Sequence, residues 1–168
     1  MISAIGILFL AITFIVLALI FILSQNYYDS QFQALRDMNV NFLPPQGIFR
    51  IVWFIFVITA CIAYFLMSDL IGGLMRWLAL LFLTFILALL LFNSSRFTYW
   101  SFALLILFAI MLLLGESIYH FGIVLEQKFV ASLLGVYFLW SIYGLFLVSN
   151  VLYRISAREN LIVSNQFY

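Results

Sequence analysis

An all-α integral membrane bundle of five transmembrane helices is the fold class this sequence predicts, and three observations predict it. The 168 residues are 68% hydrophobic and 8% charged, far from the roughly half-apolar, quarter-charged usage of soluble domains. A soluble core that apolar would leave too few polar residues to cover its outside. The charged residues also leave five long apolar stretches between them, each near the ~20 residues that a helix needs to cross ~30 Å of hydrocarbon. Finally, no alternating, turn-punctuated strand pattern suggests a barrel, and within lipid a segment must satisfy its own backbone hydrogen bonds.

The first stretch, Met1 to Tyr28, carries no charge. It lacks the basic start and small-residue cleavage pattern of a secretory signal and is too long for one, so it reads as a first span over about residues 3–25. A long loop, 26–45, follows; it carries Asp29, Arg36 and Asp37 and ends in Pro44-Pro45. A proline pair suits a helix's first turn and not its interior, so this loop enters the second helix at a fixed angle. Long loops in small bundles often carry function. The uncharged runs Ile51–Ser68, Trp77–Ser95, Phe97–Gly115 and Phe129–Tyr153 give four further helices over about 46–67, 71–93, 97–119 and 129–154. Residues 1–168 then form a single five-helix domain with neither repeats nor low-complexity tails, and five helices do not divide into inverted halves.

Cytoplasmic loops carry an excess of Lys and Arg. Arg36, Arg50, Arg96, Arg154 and Arg158 fall on the side of the C-terminus, against Arg76 and Lys128 on the other. The C-terminus is therefore expected in the cytoplasm and the N-terminus on the opposite side. A net charge of +1 offers no footprint for nucleic acid and no polybasic tail for anionic lipid. The single cysteine, Cys61, excludes an internal disulfide and a cysteine-based metal site.

Ionisable groups at membrane depth would mark an ion path. Here every one falls at a helix end or in a loop, leaving Thr59, Thr84, Asn93 and a few serines in or at the edges of the spans, which argues against a proton-driven pump. Glu116 and His120 share a face four residues apart, with Glu126 following; no second histidine completes a metal shell, and polar residues belong at an interface anyway. Asn93-Ser94-Ser95 is a glycosylation sequon on the expected cytoplasmic side, where glycosylation does not occur. The unusual feature is aromatic content, 20 Phe, 9 Tyr and 4 Trp. Aromatic walls between helices suit flat, apolar ligands, since stacking adds about 0.5–1.5 kcal/mol beyond area burial; packing and lipid contact use the same residues.

The segment Pro44-Pro45-Gln46-Gly47-Ile48-Phe49-Arg50-Ile51-Val52-Trp53 resembles the signature of the tryptophan-rich sensory protein and translocator protein family, TspO/MBR. In that family it opens the second of five spanning helices, its position here. Tyr27-Tyr28-Asp29-Ser30 is similar to the family's aromatic segment in the first loop, and Phe42 stands where a tryptophan usually precedes the prolines. Tyr137-Phe138-Leu139-Trp140 is similar to its Pro-Tyr-x-x-Trp motif, with Gly144 in place of a small alanine. The departures are Val136 for the motif proline, Leu147-Val148 for a Leu-Asn pair, and Arg96 where Asn93 would be followed by a tryptophan.

The resemblance implies a pocket between helices, closed by the first loop, for tetrapyrroles of the porphyrin or haem type or for sterols, lined by Phe42, Phe49, Trp53, Asn93, Tyr137, Trp140 and Gly144. It implies no required cofactor, a homodimer, and in some bacterial members porphyrin photodegradation; it assigns no catalytic residue here. Val151, Tyr153 and Arg158 fit a loose sterol-contact pattern, although aromatic and basic anchors belong at a helix exit without any sterol. Two other readings stand beside it: a structural or assembly protein whose aromatic faces only pack, and a small transporter or channel, which lacks a polar path.

Overall fold

The computed structural model describes residues 7–8, 11–16, 18–19, 22, 35–40, 42–67, 71–93 and 97–165, and no strand occurs among them. The helices are α1 (Gln46–Leu66), α2 (Ile71–Asn93), α3 (Phe97–Tyr119), which a π-helical turn His120–Val124 prolongs, and α4 (Lys128–Asn165). Three stretches are long and apolar enough to cross a membrane: Leu74–Leu91, Tyr99–Val124 and Lys128–Arg158. α1 contributes the shorter apolar run Ile51–Leu66, bounded by Arg50. The described residues between 7 and 22 are helical and lean on the same core through Ile12, Thr13 and Val16; the rest of the expected first span lies outside the described residues. α4 continues past the expected end near 154 because the sequence turns polar there without a Pro or Gly to stop it.

Packing follows one rule. On α3 and its π turn the buried positions are Trp100, Ala103, Leu107, Ile110, Leu114, Ser117 and Phe121, alternating steps of three and four. On α4, Val130, Leu134, Tyr137, Ser141, Gly144, Val148 and Val151 keep the same alternation, with Leu147 buried beside them. A repeat of 3.5 residues keeps two straight seams facing when helices cross at about 20° with left-handed twist. These two helices share the most extensive interface; α2 lies against α3, and α1 against α4 and α2. α2 buries Trp77, Leu80, Thr84 and Leu87 in the same register, with Leu81 beside them, and α1 buries Ala60, Cys61, Ala63 and Tyr64. Small residues on these stripes let backbones approach where lipid supplies no hydrophobic drive for helix association.

Polar groups tie the bundle near the α3–α4 turn. Arg76 of α2 donates a two-pronged pair to Glu116 of α3, Nε to Oε2 at 2.6 Å and Nη2 to Oε1 at 2.7 Å, and its guanidinium lies 5.8 Å from the Phe121 ring centroid. Ser117 Oγ spends its hydrogen on the Leu113 carbonyl at 2.8 Å. The Tyr64 hydroxyl of α1 therefore donates to Ser117 Oγ, at 2.7 Å, across a fully buried contact.

The chain reverses between α3 and α4 within a few residues. Leu125 N–H reaches the His120 carbonyl at 3.0 Å, closing the π turn, and Gln127 N–H reaches Phe121 at 2.7 Å. Here a side chain is excluded: a Cβ on Gly122 would stand 2.9 Å from the Ala131 Cβ, an atom that no rotamer moves. Gly135, one turn on, has open space. Gly122→Ala is expected to cost about 1–3 kcal/mol by forcing the turn off α4, whereas Gly135→Ala leaves stability unchanged or raises it by up to about 1 kcal/mol. Unfolding of both variants in detergent checks the contrast.

Candidate functional site

Aromatic side chains fill the contact between α1 and α4. Trp53 and Phe56, three residues apart on α1, face Tyr137 and Trp140, three apart on α4. Trp53 meets Tyr137 edge-on at 5.8 Å between centroids, and Phe56 stacks on Tyr137 at 6.0 Å with 11° between planes. Phe56 also meets Trp140 at 5.5 Å, and Trp140 meets Tyr143 at 4.8 Å. The five rings make one connected chain in which Tyr137, fully buried, stands between Trp53 and Phe56. Its hydroxyl is satisfied from α2: Thr84 gives its own hydrogen to the Leu80 carbonyl at 2.8 Å, so Tyr137 donates to Thr84 Oγ1, at 3.2 Å.

The end of the first loop lies over the outer end of this chain and is itself folded. Leu35–Asp37 form a helical turn closed by Asn39 N–H to Arg36 O at 2.9 Å and Val40 N–H to Leu35 O at 3.4 Å, with Asn39 at φ 51°. That is a Schellman ending, in which asparagine supplies the left-handed residue and the next apolar side chain turns inward; Val40 is buried accordingly. Phe42 is also left-handed, at φ 63°. For a bulky residue this conformation costs of order 1–3 kcal/mol and persists only when its surroundings hold it. Two contacts hold it: the Tyr143 hydroxyl donates to the Phe42 carbonyl at 2.6 Å, and the Phe42 ring lies 6.0 Å from that of Phe146. Farther along α4, Arg158 Nη2 donates to the Asp37 carbonyl at 3.2 Å. Pro45 stands at the cap of α1 with φ −54° and ψ 137°, one position before the first turn in which the proline pair is expected.

Of the residues singled out from sequence, Trp53, Tyr137 and Trp140 come together in this seam. Phe42 sits on the loop, 74% exposed. Gly144 faces α3, where a Cβ would meet Leu107 Cδ2 at 3.3 Å, so it serves the α3–α4 approach. The side chains of Phe49 and Asn93 lie outside the described residues. Val151 is fully buried, Tyr153 is 72% exposed, and Arg158 binds the loop; the three occupy separate surroundings. Glu116 is engaged by Arg76, and among the described residues no three His, Cys, Asp or Glu side chains are grouped to hold a metal. Phe56 and Thr84 are members of the cluster that the sequence reading leaves out; the spacing of three from Trp53 was the available signal for Phe56.

If the seam is one cooperative contact, its members couple. A double-mutant cycle on Phe56→Leu and Tyr137→Leu is expected to give an interaction of about 0.5–1.5 kcal/mol, and the same cycle on Phe56 and the distant Leu107 about zero, read from unfolding in detergent. No family model, curated protein or solved structure matches this chain.

Proposed function

We propose that this chain is a TspO-like bundle of five spanning helices that binds a tetrapyrrole or a similarly flat, apolar ligand at the α1–α4 seam, as receptor, sensor or carrier. The observation that carries the proposal is the convergence of Trp53 and Trp140 on the same pair of rings, Phe56 and Tyr137, directly beneath the loop that Tyr143 holds. A flat conjugated molecule finds there ring faces and edges from two helices and one fixed hydroxyl. The motif resemblance at residues 44–53 and 137–140 supports the same place. The topology is supported by the loop residues Asp37 and Phe42 bonding α4 toward its C-terminal end, since a first loop and a C-terminus on one side is what five spans require. The basic excess on that side supports a cytoplasmic face for it.

A second reading is favoured by a specific observation. Phe56 and Tyr137 already fill the space between the two tryptophans, and a seam that tight also serves a structural or assembly protein with no ligand. For a macrocycle to enter, α1 must part from α4 or these two rings must turn.

Titration of the detergent-solubilised protein with protoporphyrin separates the two, following the Soret band and tryptophan emission together. Binding predicts saturation at low micromolar ligand, roughly 8 kcal/mol, with Trp53→Phe and Trp140→Phe each weakening affinity by about three- to tenfold and Trp100→Phe, on α3, leaving it unchanged. Linear, unsaturable quenching in all four proteins supports the structural reading.

A further inference from the structure

The apolar stretch of α4 runs for 31 residues, from Lys128 to Arg158. At 1.5 Å per residue that is roughly 46 Å of helix, the thickness of a bilayer with its headgroups included. No charge falls between Phe129 and Tyr153, so Arg154 is the first charge met on leaving the hydrocarbon, with the exposed Tyr153 beside it and Arg158 one turn on. These residues stand at headgroup depth. Arg158 gives Nη2 to the Asp37 carbonyl, not its carboxylate, at 3.2 Å, which seats it against the helical turn that also carries the exposed Arg36. Arg154 Nε is shut away from solvent and has no hydrogen-bond partner. Among the described residues neither Arg154 nor Arg158 pairs with a carboxylate. An arginine that only anchors a helix end keeps its guanidinium in water, whereas a charged N–H withdrawn from water without an acceptor is costly. Interfacial anchoring alone therefore does not account for Arg154.

We propose that Arg154 and Arg158 form a seat for a phosphate group, that of an anionic phospholipid headgroup, at the end of α4 where Asp37 holds Arg158. A spacing of four puts both side chains on one helix face. Each guanidinium carries five N–H donors in a planar fork that matches phosphate oxygens in pairs, and the Asp37 bond uses one of them. The phosphate accepts from the rest of Arg158 and from Arg154, whose flexible stem turns Nε and Nη out to meet it. A sterol brings one neutral hydroxyl and leaves both charges unmatched. A zwitterionic headgroup brings a cation of its own to the same place, so the seat selects lipids of net negative charge. The chain has no run of basic residues to announce such a site; the positive excess arises because the fold sets the turn that carries Arg36 beside α4. None of these residues belongs to the aromatic seam, and the seat stands whether or not the seam takes a ligand.

The test uses the full chain in detergent, stripped of lipid, with bound molecules counted by native mass spectrometry. Titrants are phosphatidylglycerol, phosphatidylcholine with the same acyl chains, and inorganic phosphate. One phosphatidylglycerol is expected to bind about tenfold more tightly than phosphatidylcholine, and Arg154→Gln and Arg158→Gln are each expected to weaken it about fivefold while phosphatidylcholine binding stays put. Lys128→Gln, at the other end of α4, leaves both lipids unchanged. Wild type alone supplies a second measurement that no folding defect can blur: raising salt from about 0.05 to 0.5 M weakens phosphatidylglycerol and spares phosphatidylcholine. Equal affinity for the two lipids, indifference to Arg154→Gln, or an equal loss with Lys128→Gln overturns the seat. Inorganic phosphate that binds alone and displaces phosphatidylglycerol at equal concentration makes the ligand a soluble anion and overturns the lipid assignment.

Discussion

The close approach of α3 and α4 is the constraint on which the rest of this molecule depends. In an apolar solvent a leucine gains nothing by leaving lipid for a neighbouring helix, so association rests on packing and on polar groups that must find partners. The α3–α4 seam supplies the packing with Ala103 and Ser117 on one side and Ser141 and Gly144 on the other. At Gly144 the fit is close: a Cβ there would meet Leu107 Cδ2 at 3.3 Å. Ser117 and Ser141 return their hydroxyls to carbonyls one turn back, Leu113 and Tyr137, which lets a polar residue occupy a dry interface at small volume. With this pair fixed, α2 is attached to α3 by Arg76 and Glu116 and α1 by Tyr64 and Ser117. The opposite end of α1 is then left to close on α4 through rings.

α4 consequently has two working sides. One, through Leu134, Ser141, Gly144 and Val148, belongs to the bundle; the other, through Trp140, Tyr143 and Arg158, belongs to the aromatic seam and the loop. Tyr137 lies at the border of the two and is held by both, by Thr84 of α2 through its hydroxyl and by Trp53 and Phe56 of α1 through its ring. A displacement of α1 is therefore felt at a residue whose hydroxyl is fixed to α2.

The helical character and the long apolar segments were legible because charge is so sparse that its gaps mark those segments directly. The interhelical seams were not legible, and the reason is saturation. When nearly every position is apolar, the hydropathy period that marks a buried face in a soluble helix disappears, and only side-chain size distinguishes Ala103 or Gly144 from the outward-facing Leu105 or Phe146. Ionic partners were equally hidden: Arg76 and Glu116 are 40 residues apart, each reads alone as an interfacial anchor, and the sequence invites pairing Glu116 with its near neighbour His120. In the candidate site, Trp53, Tyr137 and Trp140 could be proposed because a motif names them. Phe56 carries no such label among 20 phenylalanines. The left-handed turn at Asn39 follows a known preference, while Phe42 in that conformation contradicts local propensity, and such contradictions collect where structure is held for a purpose.

A seam filled by its own rings is not thereby closed to ligands. Each aromatic pair contributes about 0.5–1.5 kcal/mol beyond burial, so a conjugated ligand that replaces Phe56–Trp140 or Phe56–Tyr137 contacts with ring contacts of its own exchanges like for like. The net cost is then the parting of α1 from α4. On the described stretch α1 is the shorter apolar helix, and its hydrogen bond to Ser117 lies toward the end remote from the rings. The polar attachment and the ring-lined part of α1 are separate: Tyr64 ties one to Ser117, and the loop that leads into the other through Pro44 and Pro45 carries Phe42, whose carbonyl Tyr143 holds.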